Sequence, residues 1–336
     1  MNEKSLEIAR KRNRKLLIVE GKHEKDILFK LIFRVFPEID ISIEDILIYG
    51  TNIYMLYKDI IKEYGDKWFE DDVDLPFIVG KKKGYSSTLG LNDFSNVYLI
   101  FDYERHDPNF CENKIKIMQD YFCDSTDMGK LYLNYPMLES YQHFSDFPDT
   151  NYENLAVRVT PQPGSQYKKT VHNSFVARLV LIPLKIERVI LDSYCIKDND
   201  ACKKLTEKVL EISNKEKLSD KINQIFKDYL SPADLNRAKN HFNNILVSME
   251  HIKSGTSYYK YMRNIFKQII LHNIKKGSNI QKVYIHNNYK KAYELLDLSK
   301  ILEEQNIVSK DKSLGYIWVL NTCVYIIPDY NFKLIQ

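Results

Sequence analysis

Two apolar stretches that end in acidic residues decide the fold, Lys15-Leu16-Leu17-Ile18-Val19-Glu20-Gly21 and Val97-Tyr98-Leu99-Ile100-Phe101-Asp102-Tyr103-Glu104. Continuous apolar runs of this kind predict buried parallel strands, because both faces of such a strand must be covered. Carboxylates just past the strands lie in the crevice at the carboxyl edge of the sheet, where open α/β folds bind ligands. Acids gathered there repel one another unless a cation neutralises them, and hard oxygen ligands suit Mg²⁺ or Mn²⁺. The two stretches therefore predict a divalent-metal site.

The first half of the chain alternates strand and helix patterns. A helix over residues 23–35 has apolar positions at i, i+3 and i+4, and residues 46–49 form a second strand. Asn52 is a good N-cap for a helix that runs to about residue 64. We assign residues 75–79 and 130–133 as further strands. The alternation predicts an α/β fold with a mainly parallel sheet and flanking helices.

The length of 336 residues predicts about two domains. We expect an α/β catalytic domain over residues 1–148 and a mainly helical C-terminal domain over 149–336 that binds nucleic acid or a partner. Residues 316–320 and 323–327 predict a hairpin at the C-terminal end. That order of elements is compatible with a winged-helix-like unit and also with another small α+β cap.

The composition, with 44% hydrophobic and 28% charged residues, is typical of a globular protein. No apolar stretch approaches the roughly 18 residues that span a bilayer, and the N-terminus lacks the apolar core of a secretory signal. The five cysteines show no CxxC spacing, which disfavours a disulfide framework or a zinc site. We therefore expect a cytoplasmic protein that does not engage a membrane.

Basic residues form four clusters although the net charge is only +4. The clusters lie at residues 10–15, 81–83, 168–169 and 258–276. The last one interleaves Tyr258, Tyr259 and Tyr261 with basic residues, a mixture that tracks phosphates and stacks on bases. Each cluster is also compatible with a solvated helix face, so nucleic-acid binding is an expectation here.

The candidate site residues follow the predicted strands. Glu20 ends the first strand, and Glu24, one turn into the next helix, can point back to the same crevice. Asp102 and Glu104 are two residues apart, hence on the same side of an extended chain. Glu139 follows the strand at residues 130–133. The alternatives are that Glu20 favours a helix N-terminus and that Asp102 and Glu104 are a solvated strand end.

Other features narrow the chemistry. The sequence allows two placements for His106 and Asp107, which either extend the site or face solvent. No HExxH spacing supports a zinc hydrolase, and no GxSxG motif supports a serine nucleophile. A GxxxxGK[ST] phosphate loop is also absent, so we do not expect this chain to hydrolyse ATP by itself.

The run from Leu17 to Glu24 followed by a helix resembles the first motif of the TOPRIM domain, which topoisomerases, primases, small ribonucleases and nucleases of the overcome-lysogenisation-defect (OLD) type share. Phe101-Asp102-Tyr103-Glu104 resembles the second TOPRIM motif, DxD, with Glu in place of the second Asp. The resemblance covers roughly residues 15–145. It implies a TOPRIM-like Rossmannoid sheet, with Glu20 as general acid/base or metal ligand and with Asp102 and Glu104 as ligands of Mg²⁺ or Mn²⁺.

The segment Glu139-Ser140-Tyr141 is similar to a segment of OLD-type and related phage-defence nucleases, in which the TOPRIM nuclease works with an ATPase. The resemblance thus implies a nuclease of anti-phage defence that cuts DNA or RNA, including tRNA, with a separate ATPase partner. An RNA-processing ribonuclease or primase-like polymerase, and a non-catalytic scaffold that binds an ATPase or nucleic acid, are the alternatives. The sequence leaves the substrate, the trigger and the oligomeric state open, and a homo-oligomer is compatible with it.

Overall fold

The computed structural model describes residues 14–84, 90–160, 164–247, 249–285, 288–311 and 313–336. The first four residues of the basic cluster at 10–15 lie outside this range. The described chain divides into two compact units. The sheet unit contains the residues up to Ser174 together with Ile269–Gln336, and the helical unit contains Phe175–Gln268.

A five-stranded sheet forms the centre of the sheet unit. Its strands are β1 (Lys15–Val19), β2 (Ile46–Ile48), β3 (Asn96–Asp102), β4 (Cys123–Asp124) and β5 (Gly129–Asn134). The strand order is β2-β1-β3-β5-β4, and all neighbours run parallel except β4, which is antiparallel to β5. The predicted α/β fold with a mainly parallel sheet is therefore confirmed.

The strand order reverses between β1 and β3. From β1 the chain crosses to β2 on one side of the sheet and then returns to place β3 on the other side. The register pairs Val19 with Ile100, so Glu20 and Asp102 both leave the sheet at the same edge. Such a reversal is the topological switch point at which open α/β sheets bind ligands.

Helices cover the sheet as the apolar patterns predict. A π-helical segment, Glu24–Phe29, continues into α1 (Lys30–Val35), and α2 (Ile53–Tyr64), α3 (Leu75–Lys83) and α4 (Glu112–Tyr121) follow along the chain. The side chain of Asn52 accepts a hydrogen bond from the Met55 N–H, which confirms the predicted N-cap of α2. The core contains the apolar side chains of β1, β3 and β5 together with buried residues of these helices.

The strand predicted at residues 75–79 is wrong, because this segment is the first half of α3. Asp74 accepts a hydrogen bond from the Phe77 N–H as the N-cap, and Pro76 lies in the first turn of the helix, where its missing N–H costs nothing. The apolar run is therefore one buried stretch of a helix rather than an inner strand.

The predicted C-terminal hairpin is also wrong. β7 (Tyr316–Trp318) pairs in antiparallel orientation with β6 (Ala156–Arg158), and the second predicted arm is a 3₁₀ turn, Cys323–Tyr325, followed by α15 (Ile326–Asn331). The C-terminal segment belongs to the sheet unit, since Tyr135 bridges to Leu320 after β5. These units do not coincide with the boundary that we predicted at residue 148.

Further helices complete the sheet unit. They are α5 (Gly164–His172), the end of α12 (Tyr258–Ile280), α13 (Tyr289–Glu294), α14 (Leu298–Val308) and 3₁₀ turns at Pro37–Ile39, Ile43–Asp45, Trp68–Glu70, Leu91–Asp93, Leu138–Gln142, Tyr152–Asn154 and Phe332–Ile335. The last turn of α12 is tied to the unit by Lys276, whose ammonium donates to the carbonyls of Tyr152 and Leu155 at 2.7 and 2.6 Å.

Helices make up the secondary structure of the helical unit, as the sequence predicts for this region. They are α6 (Phe175–Val180), α7 (Ile182–Arg188), a π-helical segment (Val189–Ser193), α8 (Asn199–Leu210), α9 (Leu218–Phe226), α10 (Pro232–Leu246), α11 (Glu250–Lys253) and the first part of α12. Phe226 and Phe242 stack at the centre of this unit with their ring centroids 5.1 Å apart. None of the helices in the described ranges is long and apolar enough to cross a membrane.

Candidate functional site

The predicted acidic residues gather at the carboxyl edge of the sheet, around the switch point between β1 and β3. Glu20 follows β1, Asp102 is the last residue of β3, and Glu139 follows β5 within the 3₁₀ turn Leu138–Gln142. Because neighbouring parallel strands end at one edge, residues far apart in the sequence meet there. We call this group, Glu20, Glu24, Asp102, Glu104 and Glu139, the acidic cluster.

Glu20 bridges the ends of the two central strands. Its Oε2 accepts a hydrogen bond from the Asp102 N–H at 3.3 Å, and its own carbonyl accepts one from Gly50 N–H at 2.9 Å. Burial raises the pKa of Glu20 from 4.5 to about 8, and repulsion from Glu104 and Glu24 acts in the same direction. At neutral pH and with no cation bound, Glu20 is therefore protonated in a large fraction of the molecules.

Asp102 is deeply buried in the acidic cluster, with only 8% of its surface exposed. Burial raises its pKa well above the ordinary value, and the nearby charges of Glu20, Glu24 and Glu139 raise it further. Its Oδ1 is buried without a hydrogen-bond partner among the described residues. A buried carboxylate oxygen with no donor is costly, so this atom is suited to an electropositive ligand.

Glu104 reaches the cluster differently from the prediction. The expectation of an extended chain from Asp102 to Glu104 is wrong, because β3 ends at Asp102 and Glu104 has a left-handed backbone with φ of 39°. Asn52, the N-cap of α2, donates to Glu104 Oε2 at 3.0 Å and to Asp107 Oδ2 at 2.6 Å. Burial raises the pKa of Glu104, while the bond from Asn52 opposes the rise. Asp107 therefore borders the acidic cluster, which is one of the two placements that the sequence allows.

Tyr103, between the two acids, points away from the cluster as predicted. Its side chain is fully buried, and its hydroxyl donates to Asn306 Oδ1 at 2.6 Å. The Tyr54 hydroxyl donates to the Tyr103 carbonyl at 2.7 Å. The turn that carries Asp102 and Glu104 is thereby anchored on both sides by the core.

Glu24 points back to the crevice, as the helical spacing predicts. It is 6% exposed, and its Oε2 accepts the Gly21 N–H at 3.1 Å. Burial raises its pKa, and the charge of Glu139 raises it further. The neighbouring His23 has its pKa lowered by burial, which keeps the imidazole neutral at pH 7.

Glu139 is held by a lysine that the sequence did not assign to the site. Lys168, on α5, forms an ion pair with Glu139 Oε1 at 3.0 Å, whereas Glu139 Oε2 is buried without a partner among the described residues. Burial disfavours the charge of Lys168, but the charges of Glu139, Asp102 and Glu24 outweigh it and raise the pKa of Lys168. The side chain of Lys168 is 55% exposed, so its charge lies at the mouth of the cluster.

Sequence reasoning missed two groups and misjudged a third. Asn52 was recognised as a cap but not as a partner of Glu104, and Lys168 was recognised only as part of a basic pair. In the tyrosine-rich cluster at 258–276, Tyr258 cannot stack on a base and Lys276 cannot reach a phosphate, because both side chains are fully buried. Spacing alone carries no signal for any of these contacts, because each depends on how distant segments pack.

The donor set of the cluster consists of carboxylate oxygens, which suits Mg²⁺ or Mn²⁺. The two buried carboxylate oxygens without partners, Asp102 Oδ1 and Glu139 Oε2, fit the same chemistry. In the described ranges, however, no three His, Cys, Asp or Glu side chains are arranged so that they could hold a metal ion.

The fold and the site together define an α/β protein with an acidic cluster at a topological switch point. Comparison of the chain with models of protein families, with curated proteins and with solved structures gives no match. A function for this site is therefore argued from the residues and their geometry.

Proposed function

We propose that the acidic cluster is the active site of a divalent-metal-dependent nuclease that hydrolyses phosphodiester bonds of DNA or RNA, with the TOPRIM-like architecture that the two sequence motifs imply. One observation supports this most strongly: five carboxyl groups converge at the switch point. Burial raises the pKa of Glu20, Glu24, Asp102 and Glu104, and repulsion from other members of the cluster raises the pKa of Glu20, Glu24 and Asp102 further. Uncompensated acids of this kind cluster at functional sites.

Four members of the acidic cluster have a part in the proposed reaction. Asp102, buried at the strand end, provides a fixed oxygen ligand, and Glu20, Glu104 and Glu139 provide oxygens on side chains long enough to adjust. When bound, Mg²⁺ or Mn²⁺ lowers the pKa of water and neutralises charge on the scissile phosphate. Glu20, with a pKa of about 8 in the metal-free protein, can hold and release a proton near neutral pH.

The positive charge of Lys168 beside the carboxylates supports the same proposal. Its ammonium compensates part of the negative charge of the cluster while no cation is present, and it is exposed enough to meet a phosphate. An anionic substrate needs such a group beside the carboxylates, because repulsion from the acids otherwise keeps the substrate away.

The test is a cleavage assay with the purified chain on plasmid, single-stranded DNA and tRNA, with Mg²⁺ or Mn²⁺ and with chelator. Asp102→Asn should lower cleavage about a hundredfold or more, because a metal ligand contributes several kcal/mol to the transition state. Asp26→Asn is the matched control, since Asp26 is an exposed acid in the same π-helical segment as Glu24. Cleavage that survives chelator, or survives Asp102→Asn, would refute the assignment. A strong preference for tRNA would favour an RNA-cutting enzyme over a DNA nuclease.

A non-catalytic scaffold is the second candidate, and two observations favour it. Within the described part of the chain no three acidic, His or Cys side chains are arranged to hold a metal, and Glu104 is engaged by Asn52. Calorimetric titration with Mg²⁺ and Mn²⁺ separates the two candidates. The nuclease binds the ion in a manner that Asp102→Asn abolishes, whereas a scaffold gives no such heat.

The resemblance to OLD-type nucleases further suggests that the chain is the effector of anti-phage defence and acts with a separate ATPase. Co-expression with the product of a neighbouring reading frame and co-purification test this step. An ATPase that co-purifies and stimulates cleavage supports it. A neighbouring gene for RNA processing, with activity on its own RNA, would instead favour the ribonuclease.

A further inference from the structure

The helical unit contains a concave basic site that the acidic cluster does not involve. A cavity of about 660 Å³ opens between the end of α8, the turn that follows it and α9. Four lysines line it, Lys208 from α8, Lys217 from the turn, Lys221 from α9 and Lys227 just after α9, against a single acid, Glu211. All of these residues lie within one compact unit.

The four lysines present their charge to solvent. Each of them is exposed. Among the residues that the structure describes, no ion pair involves Lys208, Lys217, Lys221 or Lys227. Lysines elsewhere in the chain do form such pairs, as Lys253 does with Glu250 at 2.7 Å. Like charges around one concavity repel one another, and an anion between them removes that repulsion.

The remaining lining residues indicate the kind of anion. Ser213, Asn214 and Gln224 add neutral hydrogen-bonding groups, and Ile212 and Ile225 add a small apolar surface. No aromatic residue is among the described residues that line the cavity, so it offers nothing for a base to stack on. The volume lies within the roughly 300–1,000 Å³ of small-ligand sites. Recognition must therefore come from the charge of the ligand and not from a ring system.

We propose that this cavity binds an anion with several adjacent phosphate groups, either a free polyphosphate or nucleotide or a short stretch of nucleic-acid backbone. Four ammonium groups around one opening match three or more negative charges carried close together. Orthophosphate, with fewer charges, should bind more weakly. The proposal does not depend on the nuclease assignment, because binding at this site involves no residue of the acidic cluster.

Calorimetric titration of the full chain with inorganic tripolyphosphate, at low salt and without divalent metal, tests the proposal. We expect one saturable site whose affinity falls steeply with added salt. Lys217→Ala combined with Lys221→Ala should lower the affinity about tenfold or more, and Glu211→Gln should raise it. Lys203→Ala combined with Lys204→Ala is the matched control, since these are exposed lysines of α8 outside the cavity.

Parallel titrations with ATP and with decathymidylate distinguish the source of the phosphates. Binding of ATP as tight as that of tripolyphosphate indicates a free nucleotide, whereas tighter binding of the oligonucleotide indicates a nucleic-acid strand. The proposal fails if tripolyphosphate gives no saturable binding, or if the control pair of substitutions weakens binding as much as the cavity pair. Thermal denaturation of each variant shows that a loss of binding is not a loss of folding.

Discussion

Glu20→Gln should stabilise the metal-free protein at pH 8 and change little at pH 4. The pKa of Glu20 rises from 4.5 to about 8 on folding because of burial and then repulsion from Glu104. An acid with a raised pKa binds its proton more tightly in the folded state. Glu20 therefore does not lower the free energy of unfolding below pH 4.5, and it lowers that free energy increasingly as the pH rises towards 8. Glutamine is neutral throughout and escapes this loss.

The size of the effect follows from the same pKa. A rise from 4.5 to about 8 corresponds to about 5 kcal/mol at 1.36 kcal/mol per pH unit. Glu20 is only half-buried, and solvent and the neighbouring acids relax around the charge, so we expect less than half of this, about 2 kcal/mol. The amide oxygen of glutamine still accepts the Asp102 N–H, so the substitution keeps the hydrogen bond that joins the two strand ends.

The measurement is urea denaturation in chelator between pH 4 and pH 8. The gain of Glu20→Gln over the wild-type chain should grow steadily across this range, and Asp26→Asn should show no such growth. If Glu20→Gln is the less stable protein at pH 8, or if its difference from wild type does not change with pH, Glu20 does not carry the buried, repelled charge that we assign to it. Added Mg²⁺ or Mn²⁺ should reverse the order, since the wild-type carboxylate then binds the ion.

Three further predictions concern the stability of the sheet unit. Asn52→Ala should lower the free energy of unfolding by about 1–2 kcal/mol in urea, because it removes the N-cap of α2 as well as the donor to Glu104, whereas Asn52→Ser should restore the cap. Gly129→Ala should cost about 3 kcal/mol by thermal denaturation, because Gly129 has φ of 122° and the added Cβ would lie 2.9 Å from the buried Leu99 side chain. Burial lowers the pKa of Lys276 from 10.5 to about 7, so the folded protein binds fewer protons than the unfolded chain between these two pH values. The melting temperature should therefore rise with pH in that window. Lys276→Met should abolish this rise.

The central sheet could be predicted from the sequence because its inner strands are continuous apolar runs. Residues of β1 and β3 are buried on both faces, as inner strands of a parallel sheet must be. The run at 75–79 was ambiguous for the same reason, since a short apolar stretch fits a buried strand or a buried helix. Asp74 and Pro76 carried the start signal of a helix, and that signal should have decided the assignment.

The C-terminal segment could not be predicted because its pairing is non-local. β7 joins β6, which is separated from it by the whole helical unit, and Asn321 donates to the carbonyl of Leu138 at 2.9 Å. Local patterns favour a hairpin wherever two short β-rich runs follow each other. The same limit applies to the site: the carboxylates were found because they end strands, whereas Lys168 reached them through packing that no spacing encodes.

Two unpaired oxygens of the acidic cluster support our proposal that the site binds a ligand. A cluster that served only stability would pair its buried oxygens, as nearly all buried polar groups are paired, yet Asp102 Oδ1 and Glu139 Oε2 have no partner in the described chain. One ammonium, that of Lys168, faces several carboxyl groups, and burial together with repulsion from neighbouring acids raises the pKa of Glu20, Glu24 and Asp102. Replacing Glu20, Glu24 or Asp102 by its amide should remove the cost of a buried and repelled charge, so these three acids lower the stability of the fold. Sites that break the rules of a stable core in this way are expected where a ligand or a reaction supplies the missing charge, and this is the reason for which we propose a cation at this edge of the sheet.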